Sequence, residues 1–257
     1  MKKFILTLFS VSAVMGASPA AFAAEGGTAP EHQHWHFDGP FGQYDKAALQ
    51  RGFLVYRQVC SACHSMDKLS YRNLEGIGYD DSQVKAIAQE YTVIDGPNDE
   101  GEMFERPAIP SDRFVSPFPN EQAAKASNGG AMPPDLSLIA HARHGGADYV
   151  YSLLAKGYVE PHGDVTLLPG QYYNEYMAGH VIAMAPPLSD GLVAYPDGSP
   201  ERVEQYAKDV AEFLQWAADP HMEARKSAGL SVMIFLAMFS LVFFLAKKKV
   251  WKNVKKK

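Results

Sequence analysis

Hydrophobic residues are distributed in two ways along this chain of 257 residues. At the two ends they form uncharged runs, from Phe4 to Ala17 and from Ser227 to Ala246. In the body they recur with the helical period in two segments, 46–56 and 203–217. Proline and glycine interrupt much of the rest. The pattern therefore predicts a mainly α-helical domain with long irregular loops and little sheet.

The two periodic segments predict helices that cross each other. Asp45 can cap the first helix, and its small residues Ala48 and Gly52 leave room for another helix to approach closely. The second helix is predicted to start at Ser199-Pro200-Glu201, with the serine as cap and the proline in the first helical position. Asp219-Pro220 is expected to end or kink it. Its apolar face comprises Val203, Tyr206, Ala207, Val210, Phe213, Leu214 and Ala217.

The two terminal runs predict an exported, membrane-anchored protein. Residues 1–23 place two lysines before the first run and small residues after it, which is the order of a signal peptide cleaved after Ala23. Residues 227–246 are uncharged, and a helix of that length rises about 30 Å, enough to cross a bilayer core. Two cations precede this segment and seven lysines follow it in the tail, residues 247–257, which orients the C-terminus to the cytoplasm. The body, residues 24–226, is then expected outside.

The body is strongly acidic once the two ends are set aside. Of the 24 lysines and arginines, nine belong to the signal and the tail, so 15 face all 29 carboxylates and the body has a net charge of −14. Such a charge disfavours nucleic acid and attracts basic partners at low ionic strength. The composition, 47% hydrophobic and 21% charged, excludes a disordered chain and a polytopic membrane protein. The densest acidic patch comprises Asp95, Asp99, Glu100, Glu102 and Glu105.

The two cysteines indicate covalently attached haem. They stand in Cys60-Ser61-Ala62-Cys63-His64, the attachment motif for c-type haem. Residues three apart share one face of a helical turn, so both thiols can add to the vinyl groups of one porphyrin while His64 reaches the iron. A zinc site would need two more ligands, and a thioredoxin-like site would need a preceding strand; a simple disulfide is the other alternative. An early helix, the motif, long loops and a late crossing helix are the order of a class I cytochrome c.

A second axial ligand has to come from the body. Met132 and Met184 both stand beside a pair of prolines, a stiff context that suits a ligand. Spacing favours Met184, because it lies closer to the C-terminal helix, but leaves Met132 open. Met66 follows His64 too closely, and Met222 lies at the membrane. Histidines that could ligate instead, although each fits an ordinary surface or core position better, are His141, His144, His162 and His180. A tract that alternates like metal ligands but fits a loop better comprises His32, His34 and His36.

Several stretches of the chain resemble the cytochrome c1 family, in its bacterial form. The likeness covers nearly all of the mature chain, from about Trp35 to the lysine tail. The stretches that carry it are 35–42 (WHFDGPFG), 133–137 (PPDLS), 142–146 (ARHGG), 182–188 (IAMAPPL) and 223–226 (EARK). The resemblance implies one haem c attached through Cys60 and Cys63, with His64 and Met184 as its axial ligands.

The resemblance also implies a haem pocket. Arg143 would pair with a haem propionate, although read alone it fits a surface cation equally well, as Leu153 and Leu154 fit a plain core. In related cytochromes a proline carbonyl accepts a hydrogen bond from the second nitrogen of the ligand histidine, and Pro133 and Pro134 are the candidates here. Relatives often have an aromatic residue where this chain has Met177, and some bacterial ones brace the methionine loop with a cysteine pair that is absent here. The matching positions are Asn128, Ala131, Pro133, Pro134, Ile139, Arg143, Tyr149, Leu153, Leu154 and Ile182.

The function that follows from the resemblance is electron transfer without catalysis by the chain itself. A haem with two axial ligands has no open position, and the family provides the haem subunit of ubiquinol–cytochrome c oxidoreductase. Electrons would arrive from a Rieske iron–sulfur protein and leave to a basic cytochrome c, with cytochrome b as a neighbour in the cell inner membrane and the haem domain in the periplasm. Competing hypotheses are a haem enzyme or gas sensor and a subunit of another respiratory complex. The irregular segments 95–130 and 160–180 are expected to cover the haem or contact other subunits.

Overall fold

The fold class predicted from the sequence is confirmed. The computed structural model describes residues 27–163 and 165–252. The predicted signal peptide, residues 1–23, and the end of the predicted tail lie outside the described residues. Helices account for 45% of the structure, and the strands of the described residues form only two two-stranded sheets.

Seven α-helices and four short strands follow one another within the described ranges. The helices are α1 (Lys46–Gln58), α2 (Asp81–Gln89), α3 (Glu121–Ser127), α4 (Ile139–Ala142), α5 (Gly146–Ala155), α6 (Val203–Ala218) and α7 (Met222–Val250). Turns of 3₁₀ helix lie at Cys60–Ala62, Tyr71–Ile77 and Ala178–His180. The strands pair antiparallel, β1 (Thr92–Asp95) with β2 (Phe104–Pro107) and β3 (Tyr172–Tyr173) with β4 (Val181–Ile182).

The predicted crossing of the first and last helices of the domain is confirmed, and it lies at the centre of the core. Gly52 of α1 meets α6 so closely that a Cβ there would lie 2.1 Å from the Asp209 carbonyl oxygen and 2.6 Å from Phe213 Cβ. Only glycine permits this approach. Asp45 caps α1 as predicted, its carboxylate accepting a hydrogen bond from the Ala47 amide at 2.9 Å. Because the cysteine motif directly follows α1, the crossing also fixes the position of that motif in the domain.

The predicted start of the second helix is wrong. Helix α6 begins at Val203, not at Ser199-Pro200. The Val203 amide donates to the Asp190 carboxylate at 2.8 Å, so a residue of the preceding loop satisfies the helix start. Glu201 instead accepts a hydrogen bond from the Tyr195 amide at 3.1 Å. A local capping pattern could not reveal this partner, because Asp190 lies 13 residues before the amide that it accepts.

Helix α6 also buries two carboxylates that its apolar periodicity does not predict. Asp209 accepts two hydrogen bonds from the Arg51 guanidinium of α1 and one from the Tyr195 hydroxyl, all at 2.9 Å. Glu212 accepts one from the Asp45 amide at 3.2 Å, and burial raises the pKa of Glu212. Because removing one partner of a buried ion pair is strongly destabilising, the Arg51–Asp209 pair fixes the register of α1 against α6.

The segments that the sequence pattern leaves irregular contain short elements. β1 and β2 form a hairpin, closed by Arg106, which donates to the carboxylates of Asp95 and Asp112. The hairpin carries the acidic patch, of which all members except the half-buried Asp95 are exposed. Helix α3 lies in the first segment, and β3 lies in the second. Strands of two to four residues are too short to show a periodic pattern, which is why the sequence did not reveal them.

Helix α7 is the one helix in residues 27–163 and 165–252 that is long and apolar enough to cross a membrane. It has 29 residues, and no part of its apolar window is buried in the structure. A bare apolar surface of this size fits membrane anchoring. The helix begins before the predicted span, and Met222 in its first turn is buried against the domain. Only Asp219–His221 separates α7 from α6, so the anchor continues directly from the core.

Candidate haem site

The cysteine motif forms a tight turn at the end of α1. The amides of Cys63 and His64 both donate to the Cys60 carbonyl, at 3.1 and 2.9 Å. Neither cysteine is in a disulfide; Cys60 is half-buried and Cys63 is exposed. Burial raises the pKa of the Cys60 thiol to about 12, so it is neutral at pH 7. Two free thiols on one turn fit attachment to a single prosthetic group, and the disulfide alternative is not what the structure shows.

The side chain of His64 is oriented by a proline carbonyl. Its Nδ1 lies 2.8 Å from the Pro134 oxygen, so of the two prolines suggested by the resemblance the structure selects Pro134. Burial lowers the pKa of His64, which favours the neutral ring. A neutral ring that donates from Nδ1 to a carbonyl keeps its lone pair on Nε2. That nitrogen is then available to a metal, in the arrangement usual for a histidine ligand.

Asp135 holds the segment that carries Pro134. Its carboxylate accepts hydrogen bonds from the Ser65 hydroxyl and the Asp67 amide, both at 2.8 Å, and from the Ser137 amide at 2.9 Å. Burial would raise the pKa of Asp135, but these hydrogen bonds outweigh burial and lower it. Sequence reasoning missed this role, although aspartate two residues before a serine is a turn signal that could have revealed it.

The predicted pocket residues are neither core residues nor, for the most part, fully exposed ones. They come from the end of α3, the loop after it, α4, α5 and β4. Half-buried members are Asn128, Ala131, Pro133, Ile139, Tyr149, Leu153, Leu154 and Ile182, and exposed members are Pro134 and Arg143. Their partial exposure is compatible with contact to a bound group. Two free thiols on one turn, beside a histidine oriented by a carbonyl, are the residues that fit a haem c.

The polar residues among the predicted pocket residues make different contacts. The Asn128 side-chain amide donates to the Ala124 carbonyl at 2.7 Å, so it stabilises the end of α3. Tyr149 donates to the Met177 sulfur at 3.6 Å. Arg143 reaches only the adjacent Ala142 carbonyl, at 3.5 Å, and forms no ion pair with any carboxylate of the described residues. Its charge is thus available to an anionic group of a ligand.

The backbone of Met184 is held by Tyr158, in the loop that follows α5. The Tyr158 hydroxyl donates to the Met184 carbonyl at 3.0 Å and approaches the Ala185 carbonyl at 3.5 Å. Burial raises the pKa of Tyr158, which keeps the hydroxyl protonated and able to donate. Neither the sequence pattern nor the resemblance singled out Tyr158.

Asn174 ties the same region together from inside. This residue is fully buried, and its side-chain amide donates to the Leu153 carbonyl at 3.0 Å while its side-chain oxygen accepts the Tyr176 amide at 3.1 Å. Its backbone amide donates to the His180 carbonyl at 3.0 Å. Gly157 leaves the necessary space, because a Cβ there would lie 2.2 Å from the Asn174 side-chain oxygen. The segment leading to Met184 is therefore attached to α5 by hydrogen bonds.

The other candidate ligands have structural contacts of their own. Met66 and Met222 are buried in the domain, whereas 46% of Met132 is exposed just before Pro133. His180 packs on Tyr173 and bonds to the Glu175 carbonyl. The histidine tract is a loop as expected: His32 bonds to Asp148, and His36 faces Glu212. No group of three metal-ligating side chains occurs in the part of the chain that the structure describes.

The close crossing of α1 and α6, two free thiols beside a histidine oriented by a carbonyl, and one membrane-length helix are the features of a membrane-anchored c-type cytochrome. Comparisons with known proteins narrow this class. The sequence model of the Cytochrome C1 family matches residues 35–254. The chain belongs to the cytochrome c1 family, whose members are haem subunits of the bc1 complex.

Relatives from bacteria and from mitochondria agree with this assignment. The cytochrome c1 of Rhodospirillum rubrum is 43% identical, with 96% of this chain and 97% of that protein covered. The mitochondrial cytochrome c1 haem protein of Saccharomyces cerevisiae is 44% identical over 91% of this chain and 78% of its own length. The cytochrome b/c1 of Bradyrhizobium diazoefficiens is 50% identical over 92% of this chain, which spans only 38% of that longer protein.

Proposed function

We propose that the chain binds one haem c through thioether bonds to Cys60 and Cys63 and transfers electrons within ubiquinol–cytochrome c oxidoreductase. The observation that carries this proposal is the 2.8 Å contact between His64 Nδ1 and the Pro134 oxygen, behind a turn that presents two free thiols. When bound, a haem supplies one-electron redox chemistry. The Pro134 carbonyl orients His64, the cysteines would hold the porphyrin, and Arg143, which has no carboxylate partner among the described residues, would pair with a propionate.

We assign the second axial position to Met184 instead of Met132. The Pro134 carbonyl occupies the Nδ1 side of His64, and Met132 precedes that proline by two residues. The lone pair on Nε2 points away from the Pro134 carbonyl, which favours a second ligand from a segment other than the one that contains Pro134. The hydrogen bond from Tyr158 to the Met184 carbonyl holds such a segment in place.

Two axial protein ligands leave no position for a substrate, so the chain acts as an electron carrier and is not catalytic by itself. Electrons enter from a Rieske iron–sulfur protein and leave to a basic cytochrome c, beside cytochrome b in the same complex. The net charge of −14 between residues 24 and 226 and the exposed acidic hairpin support a basic acceptor. The haem domain lies in the periplasm, and the lysine tail is cytoplasmic, as the charges around α7 indicate.

The test of this function uses native membranes solubilised in mild detergent, with the full chain captured by an affinity tag. We expect b-type haem to be captured with it, and a ubiquinol analogue to reduce the c haem in a reaction that a quinol-site inhibitor stops. A c haem that dithionite reduces but quinol does not would contradict the assigned complex while leaving the haem in place. Binding of carbon monoxide to the reduced haem would favour a haem enzyme or gas sensor instead.

The acceptor is tested by ionic strength. We expect reduction of a basic cytochrome c by the captured complex to slow at least several-fold between low salt and about 0.15 M, because screening weakens attraction between opposite charges. Quinol reduction of the c haem in the same samples is the control, since it needs no soluble partner. A rate of cytochrome c reduction that does not change with salt would remove electrostatic docking from the proposal.

A further inference from the structure

The turn formed by residues 37–42 is attached to the first two turns of the membrane helix. The Lys226 ammonium of α7 donates to the Phe37 carbonyl at 2.6 Å and to the Gly42 carbonyl at 3.2 Å, one at each end of this turn. A second contact joins the Tyr44 amide to the Glu223 carboxylate at 2.9 Å. Lys226 is the last charged residue before the uncharged run that starts at Ser227. The turn therefore lies at the level where α7 enters the membrane.

The tip of this turn is apolar, and its aromatic side chain is exposed. Gly39, Pro40, Phe41 and Gly42 carry no charge, and 76% of Phe41 is exposed. No other large hydrophobic side chain of the described residues is as exposed, including those of α7 itself. A single exposed aromatic residue is ordinary on a protein surface. One held beside the first residue of a membrane span is placed where aromatic side chains favour the lipid–water interface.

The turn is rigid, so it presents Phe41 in a fixed place. The Gln43 amide donates to the His36 carbonyl at 3.0 Å and closes the neck of the turn. Gly42 packs so tightly that a Cβ would lie 2.1 Å from the Asp38 carbonyl oxygen. Phe37 at the neck stacks on Trp35 with ring centroids 5.4 Å apart, which joins the turn to the core. Little conformational entropy remains to be lost when the tip is buried in another phase.

We propose that residues 39–42 form a second, shallow membrane contact, in which Phe41 inserts into the headgroup region of the phospholipid bilayer beside α7. One helix alone leaves a domain free to tilt about its anchor. A second contact, tied to that helix through Lys226, restricts the tilt and sets the height of the domain above the bilayer. The partner of this surface is lipid, because Lys226 attaches the turn to the helix that faces lipid. This inference goes beyond electron transfer and depends only on the anchoring of α7.

The test measures which reagents reach a nitroxide label at the turn. The captured full chain, with its accompanying subunits, is placed in nanodiscs of phosphatidylcholine and phosphatidylglycerol as Phe41→Cys or Pro40→Cys. Spin relaxation is measured with oxygen, which concentrates in lipid, and with a water-soluble nickel chelate. Ile94→Cys, at a hairpin residue that is 70% exposed, is the aqueous reference, and Phe235→Cys within α7 is the lipid reference.

We expect the ratio of the oxygen effect to the nickel effect at both turn positions to exceed that at Ile94 several-fold and to stay below that at Phe235, which lies deeper along the span. A ratio equal to that at Ile94 would place the turn in water and overturn the proposal. Exclusion of both reagents would show a protein cover and would also overturn it. The parent chain gives the blank that is subtracted. If the parent chain itself took up the label, its two cysteines would be free, which would contradict thioether attachment at Cys60 and Cys63. The experiment therefore distinguishes a failure of the proposed function from a failure of the membrane contact.

Discussion

The segments around the two proposed axial ligands, His64 and Met184, are held in place by different kinds of hydrogen bond. On the His64 side, the Asp135 carboxylate gathers three hydrogen-bond donors and fixes the loop that carries Pro134. On the Met184 side, a tyrosine hydroxyl and a buried asparagine do the holding, and both are neutral. The first side therefore depends on an ionised group and on pH, whereas the second does not. Each of the following variants separates the two sides, in order of decreasing effect.

The largest effect is expected from Asn174→Ala on the Met184 side. The change removes the partners of the Leu153 carbonyl and the Tyr176 amide inside the protein. Buried polar groups left without partners cost roughly 1–3 kcal/mol each, so we expect the free energy of unfolding to fall by about 3 kcal/mol. Denaturant unfolding at pH 7 measures it. Asn98→Ala, which removes a similar bond in the exposed hairpin turn, should cost less than about 1 kcal/mol. Equal losses would contradict the role of Asn174.

Asp135→Asn should have the next largest effect, with a distinctive dependence on pH. The folded-state pKa of Asp135 is lowered, so its carboxylate stabilises the fold above the ordinary aspartate pKa of about 4. That contribution is lost as the pH falls through the lowered pKa. We expect the variant to lose about 2 kcal/mol at pH 7 and progressively less in acid.

Unfolding curves from neutral pH into acid measure this difference. Asn174→Ala should shift its curve by a similar amount at every pH, and Asp99→Asn on the exposed turn should leave the curve unchanged. A loss for Asp135→Asn that stays constant down to low pH would show that the carboxylate acts only by its shape.

Tyr158→Phe should have the smallest effect on stability, about 1 kcal/mol, because it removes one neutral hydrogen bond. Its local effect should be clearer. With the Met184 carbonyl released, we expect the ferric haem to bind added imidazole several-fold more tightly and the reduction potential to fall. Tyr172→Phe, at a partly exposed neighbouring tyrosine, is the matched control. Unchanged imidazole affinity in Tyr158→Phe would mean that this hydroxyl does not position Met184.

The features that the sequence predicted are those encoded by neighbouring residues. The cap at Asp45, the small residue at Gly52, the cysteine turn and the apolar face of α6 are each visible within a few positions of the chain. The resemblance added the pocket residues, and the structure selected Pro134 over Pro133 as the partner of His64. The uncharged run 227–246 also predicted a membrane-length helix, although α7 extends past that run at both ends.

The features that the sequence did not predict depend on pairs of residues that lie far apart in the chain. Asp190 satisfies the start of α6 from 13 residues away, and Tyr158 reaches Met184 across 26. Asp209 and Glu212 stand on the apolar side of α6 because Arg51 and the Asp45 amide compensate them there. No local pattern records such pairs, since each residue alone fits an exposed position equally well. The same reason hid the attachment of Lys226 to the turn at residues 37–42.

The assignment of Met184 opposite His64 is tested most directly by the absorption band that a methionine sulfur bound to ferric haem gives at the red edge of the visible spectrum. The band is recorded for the captured holoprotein and for two matched variants, Met184→Leu and Met132→Leu. We expect Met184→Leu to lose the band, with a lowered reduction potential and with binding of carbon monoxide to the reduced haem. Met132→Leu should retain the band. Loss of the band in Met132→Leu and its survival in Met184→Leu would contradict the assignment of Met184 as the second axial ligand.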